Sequence, residues 1–386
     1  MRKNFLIFGA PQITEEDLQA VIDTFKSGWI GTGPQAAELE RAFRRYKGAS
    51  HAAALSSCTA ALHLAMLALG IQPGDEVITS PMTFCATANA IVHAGARPVF
   101  ADIDPRTGLI DPTEIEKKIT PKTRAIIPIH LSGRPCDMDA ILAVARSRNI
   151  YLVEDCAHAI ETTYHARHAG TFGDAGCFSF YVTKNMTAIE GGMAISQKAE
   201  IVEKIKTLAL HGMTADAWNR FSDAGYKHYE VSDLGYKNNL PDVHAALALS
   251  QLKRIESNLA RREALWGRYD EAFENLPCFT PPPPEKETRH ARHLYTLLLD
   301  IDSLAISRDQ FLDELHRRNI GCGVHYLSLH LHRYYREAYH LQPNDYPNAL
   351  WHSDRTVSLP LSAALSDQDA GDVVEAVQDI LNRAKK

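Results

Sequence analysis

The sequence predicts an α/β fold: a large unit built on a mostly parallel sheet covered by helices, followed by a smaller C-terminal α+β unit. Three observations predict it. Short apolar runs rich in Val, Ile and Phe recur through the first half, at "EVITS", "RPVFADID", "RAIIPIH", "IYLVEDC", "GCFSFY" and "GMAIS". Strands that are apolar on both faces belong to a sheet buried on both sides. Helical or turn segments separate most of these runs, which is a βα cadence. Beyond residue 243 the pattern changes to charge-laced helical periodicity.

The elements follow in order. "TEEDLQAVIDTF" sets Leu18, Val21, Ile22 and Phe25 at helical spacing, with Thr14 and Asp17 as an approximate capping box. "TAALHLAMLALG" reads as a buried helix ending at Gly70, and the strand runs come after it. Val243 to Asn275 reads as one or two helices. "PPPPEKE" (Pro281–Glu287) can be neither helix nor central strand and marks a surface link. A strand at Leu294–Ile301, a helix at Arg308–Arg318, a strand around Gly323–Tyr326 and a helix capped by Ser366 complete the smaller unit. The expected division is a large domain at 13–250 and a small domain at 251–386, with segment 1–12 packing near the small one.

Composition narrows the function. With 45% hydrophobic and 23% charged residues and a net charge of -6, the chain is an ordinary globular protein without a basic face for nucleic acid. No apolar run approaches the about 20 residues of a membrane span. The apolar stretch Phe5–Ala10 is too short for a signal peptide, so a cytoplasmic protein is expected. The seven cysteines are scattered with no CxxC pair, which argues against a disulfide framework or a zinc site; no metal is expected. No GxGxxG follows the first strand, which sets an NAD-binding Rossmann enzyme aside.

Chemistry concentrates at strand ends. "IYLVED" ends in Glu154 and Asp155, and ligands of open α/β sheets bind beyond the carboxyl ends of strands. Alone, Asp155 also reads as a helix N-cap. Lys184, 29 residues on, ends a later strand-like run. A carboxylate and a lysine at neighbouring strand ends are what a pyridoxal phosphate (PLP) site requires: the lysine attaches to the aldehyde, and the carboxylate pairs with the protonated pyridine nitrogen. Ser57, Cys58 and Thr59 lead into an apolar helix whose first N–H groups suit a phosphate, although simple N-capping explains the same residues. Ser179 is a second phosphate ligand or a satisfied buried hydroxyl. Phe84 stacks on the pyridine or belongs to the core. His158, three residues after Asp155, shares a helix face with it and reaches the cofactor edge, or is structural.

Taken together, "SSCTAALH", "GDEVITSPMTFCATANAI", "EDCAHA", "GCFSFYVTKNMTAIEGG" and "LGYKNNLPDVHAALALSQL" resemble the DegT-type sugar aminotransferases, which are PLP enzymes of the aspartate-aminotransferase fold (PLP fold type I). The resemblance runs from "SGWIGTGP" to "GCGVHYLSLHLHRYY". Within the family the chain most resembles enzymes that aminate a UDP-4-keto-pentose to give 4-amino-4-deoxy-L-arabinose. The resemblance implies transfer from L-glutamate to a nucleotide-linked keto-sugar at C4, in polysaccharide or lipopolysaccharide biosynthesis, by a homodimer with shared active sites. It implies Lys184 as the lysine that carries PLP, Asp155 as partner of the pyridine nitrogen, and His158 near the ring hydroxyl. Cys58, Thr59 and Ser179 match the phosphate cup and Phe84 the stacking aromatic. Trp29, Thr32 and Gly33 match the substrate-side loop, and His325, Tyr326 and His330 the sugar-nucleotide side. Where many members read GYNYR, this chain reads "GYKNN", so Lys237 and Asn239 are expected at the neighbouring subunit's phosphate. Phe84 stands where the arabinose-type enzymes tend to have Trp. Amination of a 3-keto sugar, and a regulatory PLP-binding protein without turnover, are the alternatives.

Overall fold

Seven strands form the main sheet of the computed structural model, which describes residues 2–213 and 230–386. They are β1 (His51–Leu55), β2 (Glu76–Thr79), β3 (Arg97–Phe100), β4 (Thr123–Ile127), β5 (Tyr151–Asp155), β8 (Ala175–Ser179) and β9 (Gly192–Ser196), with a small hairpin of β6 (Thr163–Tyr164) and β7 (Arg167–His168) between β5 and β8. The order across the sheet is β1-β9-β8-β5-β4-β2-β3. β9 runs antiparallel to β1 and β8, and every other pair is parallel. The carboxyl ends of six strands therefore open on one edge, and the first residue of β9 lies at that same edge.

Helices cover the sheet. They are α1 (Glu15–Ser27), α2 (Pro34–Lys47), α3 (Cys58–Ala68), α4 (Cys85–His93), α5 (Pro112–Lys118), α6 (Met138–Arg148), α7 (Ala199–Ala209) and α8 (Asp242–Leu252). α3 is apolar all round because it is sandwiched: Leu62, Leu64, Ala65 and Met66 pack against Val77, Val153, Cys177 and α7. Each such leucine contributes about 1.5–3 kcal/mol relative to exposure. On the opposite side Met138, Ile141 and Val144 of α6 pack against Ile78, Ile126 and Leu152.

The second unit is an antiparallel sheet of β10 (Cys278–Phe279), β12 (Tyr295–Leu299) and β13 (Thr356–Leu359). It is packed with α9 (Ile255–Phe273), α10 (Arg308–Arg317) and α13 (Asp367–Ala384). The Ser366 hydroxyl caps α13 by accepting from Asp369 N–H at 3.1 Å. Leu6 pairs in parallel with Ile320 and joins this core. β11 (Thr288–Arg289) pairs with β6 of the large unit.

Two expectations need correction, and one helix turns out to bury its polar side. No strand forms around Gly323–Tyr326: Gly323 makes an isolated bridge to Ser358, and the backbone then turns into the large unit. The segment carrying α11 (Arg333–Tyr339) and α12 (Pro347–Ser353) packs on the large unit, where Leu329, Tyr335, Tyr346 and Ala349 meet Ile78 and Phe100. The apolar stripe of α1 does not face the core. Its buried residues are Asp17 and Thr24, while Leu18, Ile22 and Phe25 stand 49%, 43% and 57% exposed. Asp17 is held inside by Arg254 at 2.9 Å and Gln251 at 2.8 Å, so an ion pair decides which face turns inward.

Candidate active site

β5 delivers Asp155 to the carboxyl edge, buried at 4% exposure. No helix follows it, so Asp155 is not a helix N-cap and His158 shares no helix face with it: residues 156–160 form an irregular turn. One carboxylate oxygen accepts from Ala157 N–H at 3.0 Å and the other from the Thr87 hydroxyl at 2.8 Å. Burial pushes the Asp155 pKa up, and these two donors, Lys184 and His130 pull against it. A cation nearby would favour the ionised form further.

β8 delivers Lys184, two turns of loop beyond Ser179. Its backbone N–H bonds Tyr181 O at 2.9 Å. Burial pulls its pKa down to about 8, against the opposing pull of Cys58 and Asp155. Among the described residues its amine has no hydrogen-bonded or ion-paired partner. The next residue is pinned instead: Asn185 donates to Glu161 and to Ala291 O, both at 2.9 Å, and its side-chain oxygen lies 3.0 Å from His293 Nδ1. The anchor sits beside the amine and leaves the amine itself unengaged.

β1 leads into α3. Ser57 is the N-cap, and its hydroxyl accepts from Ala60 N–H at 3.1 Å. That leaves the N–H groups of Cys58 and Thr59 without intrahelical partners, at the positive end of the helix dipole. Gly192 opens β9 directly beneath them. A Cβ there would lie 2.3 Å from the Ser57 carbonyl carbon and 2.5 Å from Cys58 N. The glycine thus admits the backbone of the α3 entry, not the cofactor. Ser179 ends β8 beside it, its hydroxyl accepting from Tyr181 N–H at 3.3 Å. Gly192→Ala is expected to displace this backbone and weaken PLP binding about tenfold, the scale of a modest overpacking cost. Titration of apoprotein with PLP checks it, and an unchanged dissociation constant would contradict it.

These groups line one cavity of about 630 Å³, together with Phe84, His325 and Tyr326. Phe84 stands 59% exposed at its wall, its ring 6.1 Å from that of Tyr326. His158 accepts from Ser132 N–H on Nδ1 at 3.2 Å, which places its proton on Nε2, 3.2 Å from the Tyr326 hydroxyl. Burial and Lys184 hold His158 neutral, its pKa lowered. His325 is bonded through Nδ1 to Ser358 Oγ at 2.8 Å, and burial lowers its pKa to about 4. A larger groove of about 950 Å³ between α1, α2 and α8 contains none of these groups.

Other residues fall elsewhere. His330 is buried away from the cavity, with Nε2 3.0 Å from Pro343 O and Nδ1 2.8 Å from Ser328 Oγ. Both ring nitrogens are engaged, so the structure does not bring it to the sugar side. Trp29, Thr32, Gly33, Lys237 and Asn239 form a separate cluster that does not line the chain's own cavity. Lys237 donates to Asn239, Asn239 donates to the Thr32 hydroxyl, and Thr32 donates to Leu240 O at 2.7 Å. The Trp29 indole lies over Gly33, where a Cβ would come 1.8 Å from the ring nitrogen, so a side chain there would have to displace the indole. Asp242 holds this loop by accepting from Gly33, Gln35 and Ala36 N–H groups at 2.7–2.9 Å. Sequence reasoning missed Asp242, Asn185 and Thr87. For Thr87 a signal existed: a second hydroxyl four residues after Thr83, in a stretch otherwise rich in alanine.

Glu154, the neighbour of Asp155, faces the other side of the sheet. It lies with His130 and Cys156 in a grouping of metal-ligand type. Its oxygens accept from Gly170, Phe172 and Gly173 N–H groups at 2.7–2.8 Å and lie 3.1 Å from His130 Nε2, so the network is satisfied internally.

The residues fit PLP: an unpaired amine of lowered pKa, a buried carboxylate, and a glycine-backed helix start with two open N–H groups. A family model for the DegT/DnrJ/EryC1/StrS aminotransferases matches residues 11–378. The chain is 48% identical over 384 residues to the spore coat polysaccharide biosynthesis protein SpsC of Bacillus subtilis, covering 99% of each. Among solved structures, PseC of Helicobacter pylori, an aminotransferase involved in pseudoaminic acid biosynthesis, superposes with TM-score 0.91 at 28% identity over 99% of this chain and 100% of its own. Spr1654 of Streptococcus pneumoniae in its PLP form superposes with TM-score 0.91 at 32% identity, covering 98% of this chain and 99% of its own. No helix among the described residues is long and apolar enough to cross a membrane.

Proposed function

The chain belongs to the DegT/DnrJ/EryC1/StrS aminotransferase family, and on that premise we propose that it moves an amino group from L-glutamate to the keto carbon of a nucleotide-linked sugar, at C4 of a UDP-4-keto sugar. Family membership makes it a PLP-dependent sugar aminotransferase. The observation that carries the site assignment is one cavity holding Asp155, the unpartnered Lys184 amine and the open N–H groups of Cys58 and Thr59.

Bound PLP supplies an electron sink beside the carbon that loses its proton. Lys184 Nζ would hold the cofactor's aldehyde and, freed from it, would take the proton from the amino donor's carbon and hand it on to the cofactor side; in the second half of the cycle it would deliver a proton to the former keto carbon of the sugar. It must be neutral to accept the donor's proton, and a pKa near 8 keeps both forms accessible at neutral pH. The Asp155 carboxylate holds a proton on the pyridine nitrogen. At an effective dielectric of about 20, opposite charges about 4 Å apart interact by roughly 4 kcal/mol. His158, held neutral with its proton on Nε2 toward the Tyr326 hydroxyl, would stand on the ring-hydroxyl side. Phe84 would cover one face of the cofactor, and Cys58, Thr59 and Ser179 would receive its phosphate.

The sugar-nucleotide reading is supported by the polysaccharide role named for the Bacillus relative and by the resemblance of "HYLSLHLHRYYRE" to arabinose-type enzymes. A screen of 4-keto and 3-keto sugar nucleotides with glutamate tests it. Amination at C4 is expected, and exclusive turnover of 3-keto sugars would overturn the substrate assignment while leaving the chemistry standing.

We also propose a homodimer in which Lys237 and Asn239 complete the partner's phosphate site. No arginine lines the cavity among the described residues, and the outward stripe of Leu18, Ile22 and Phe25 offers an apolar surface for a second copy. Mixing Lys184→Ala with a Lys237→Ala/Asn239→Ala variant, under subunit exchange, should partly restore activity. No rescue, or a fully active monomer, would refute the shared site.

A further inference from the structure

We propose that Thr87 and Thr83 form a directed hydroxyl relay that positions the Asp155 carboxylate and keeps it ionised against the cofactor's pyridine nitrogen. The inference rests on Asp155 as the partner of that nitrogen, as proposed above.

The geometry fixes the proton directions. Thr83 and Thr87 lie four residues apart at the entry of α4, on one face, and are 2% and 1% exposed. Thr87 Oγ1 is 2.8 Å from Asp155 Oδ2 and 2.8 Å from Thr83 Oγ1. An ionised carboxylate only accepts, so the single Thr87 hydroxyl hydrogen points to Asp155. Thr87 can then take part in the second contact only as acceptor, and Thr83 is its donor. Each bond polarises the next, so both hydroxyls favour the charged carboxylate. Two buried hydroxyls without partners would be costly, and this chain of bonds is what satisfies them.

The other carboxylate oxygen is held by Ala157 N–H, a backbone donor that no side-chain change removes. Thr87 is therefore the side-chain donor on which orientation depends. Both threonines also belong to the lining of the cavity that holds Asp155 and Lys184. The titratable groups that face Asp155 are Lys184, His130, Cys58, Cys136, Cys156, Cys177 and Tyr326, and none of them changes in a threonine variant.

The test reconstitutes wild-type and variant proteins with PLP carrying a ¹⁵N label in the pyridine ring, and follows the ¹⁵N chemical shift against pH together with the PLP dissociation constant. A hydrogen bond to a charged group is worth about a factor of ten or more. Thr87→Val should therefore lower the pyridine deprotonation midpoint by about one pH unit and weaken PLP about tenfold. Thr87→Ser should restore both, and Thr83→Val should shift both in the same direction by less. Should Thr87→Val fail to fold by circular dichroism, Thr87→Ala is read in its place. If the wild-type midpoint lies above the stable range, the dissociation constant decides. A folded variant with wild-type midpoint and affinity overturns the relay. An unprotonated nitrogen in wild-type protein at neutral pH is a different result: it overturns the Asp155 assignment itself.

Discussion

Lys184→Ala is expected to lose amino transfer below detection while still binding PLP through the phosphate cradle. Proton transfer by a positioned base alone is worth about 10²–10⁴-fold, and the same substitution also removes the covalent anchor. The cavity offers no substitute, because no second lysine lines it among the described residues. The fold should survive. Lys184 bonds the rest of the chain through its backbone N–H, and the neighbouring anchor, Asn185 with Glu161, His293 and Ala291 O, remains. Single-turnover assay with glutamate and a keto-sugar nucleotide reads the loss. Measurable turnover would show that another group moves the proton.

Asp155→Asn is expected to bind PLP more weakly than the threonine variants and, once saturated with PLP, to lose about a thousandfold in turnover. The roughly 4 kcal/mol of attraction between the carboxylate and a protonated pyridine corresponds to about three pKa units, and a neutral amide cannot supply it. The amide keeps the size of the side chain, and its oxygen can still accept from Ala157 N–H or from Thr87. Its NH₂ cannot accept, so one of the two bonds is lost and Thr87 is left to turn toward Thr83. The loss should persist in kcat at saturating PLP. Near-normal turnover in this variant would overturn the role given to Asp155.

Much of the fold was legible because burial on two faces writes itself as runs of Val, Ile and Phe, and six such runs became strands of the main sheet. β1 was not legible. "HAAAL" carries no β-branched residue, and its extended form comes from pairing residue by residue with β9 across the sheet, from His51 with Ser196 to Leu55 with Gly192. α1 showed the right period, but its burial was decided by Arg254 and Gln251 gripping Asp17 from α8 and the turn after it, a contact more than 230 residues away in sequence. In the site, Asp155 and Lys184 were legible because strand ends are. His330 was not, since the partners that engage it, Ser328 Oγ and Pro343 O, are brought together by a loop with no pattern of its own. Thr87 acquires its role only when α4 is laid beside the end of β5.

Among the described residues, two lysines have pKa values pulled down to about 8 by burial, Lys47 and Lys184. They differ in what surrounds the amine. Lys47 is 2% exposed, donates to Ile160 O at 2.6 Å and lies over the Phe178 ring. Lys184 faces the cavity with its amine unengaged. Borohydride reduction of the PLP-loaded protein, followed by proteolysis and mass spectrometry, separates them. Fixation of the cofactor on the peptide containing Lys184, and on no other, is the result expected; label on the Lys47 peptide or on any other lysine would contradict the account.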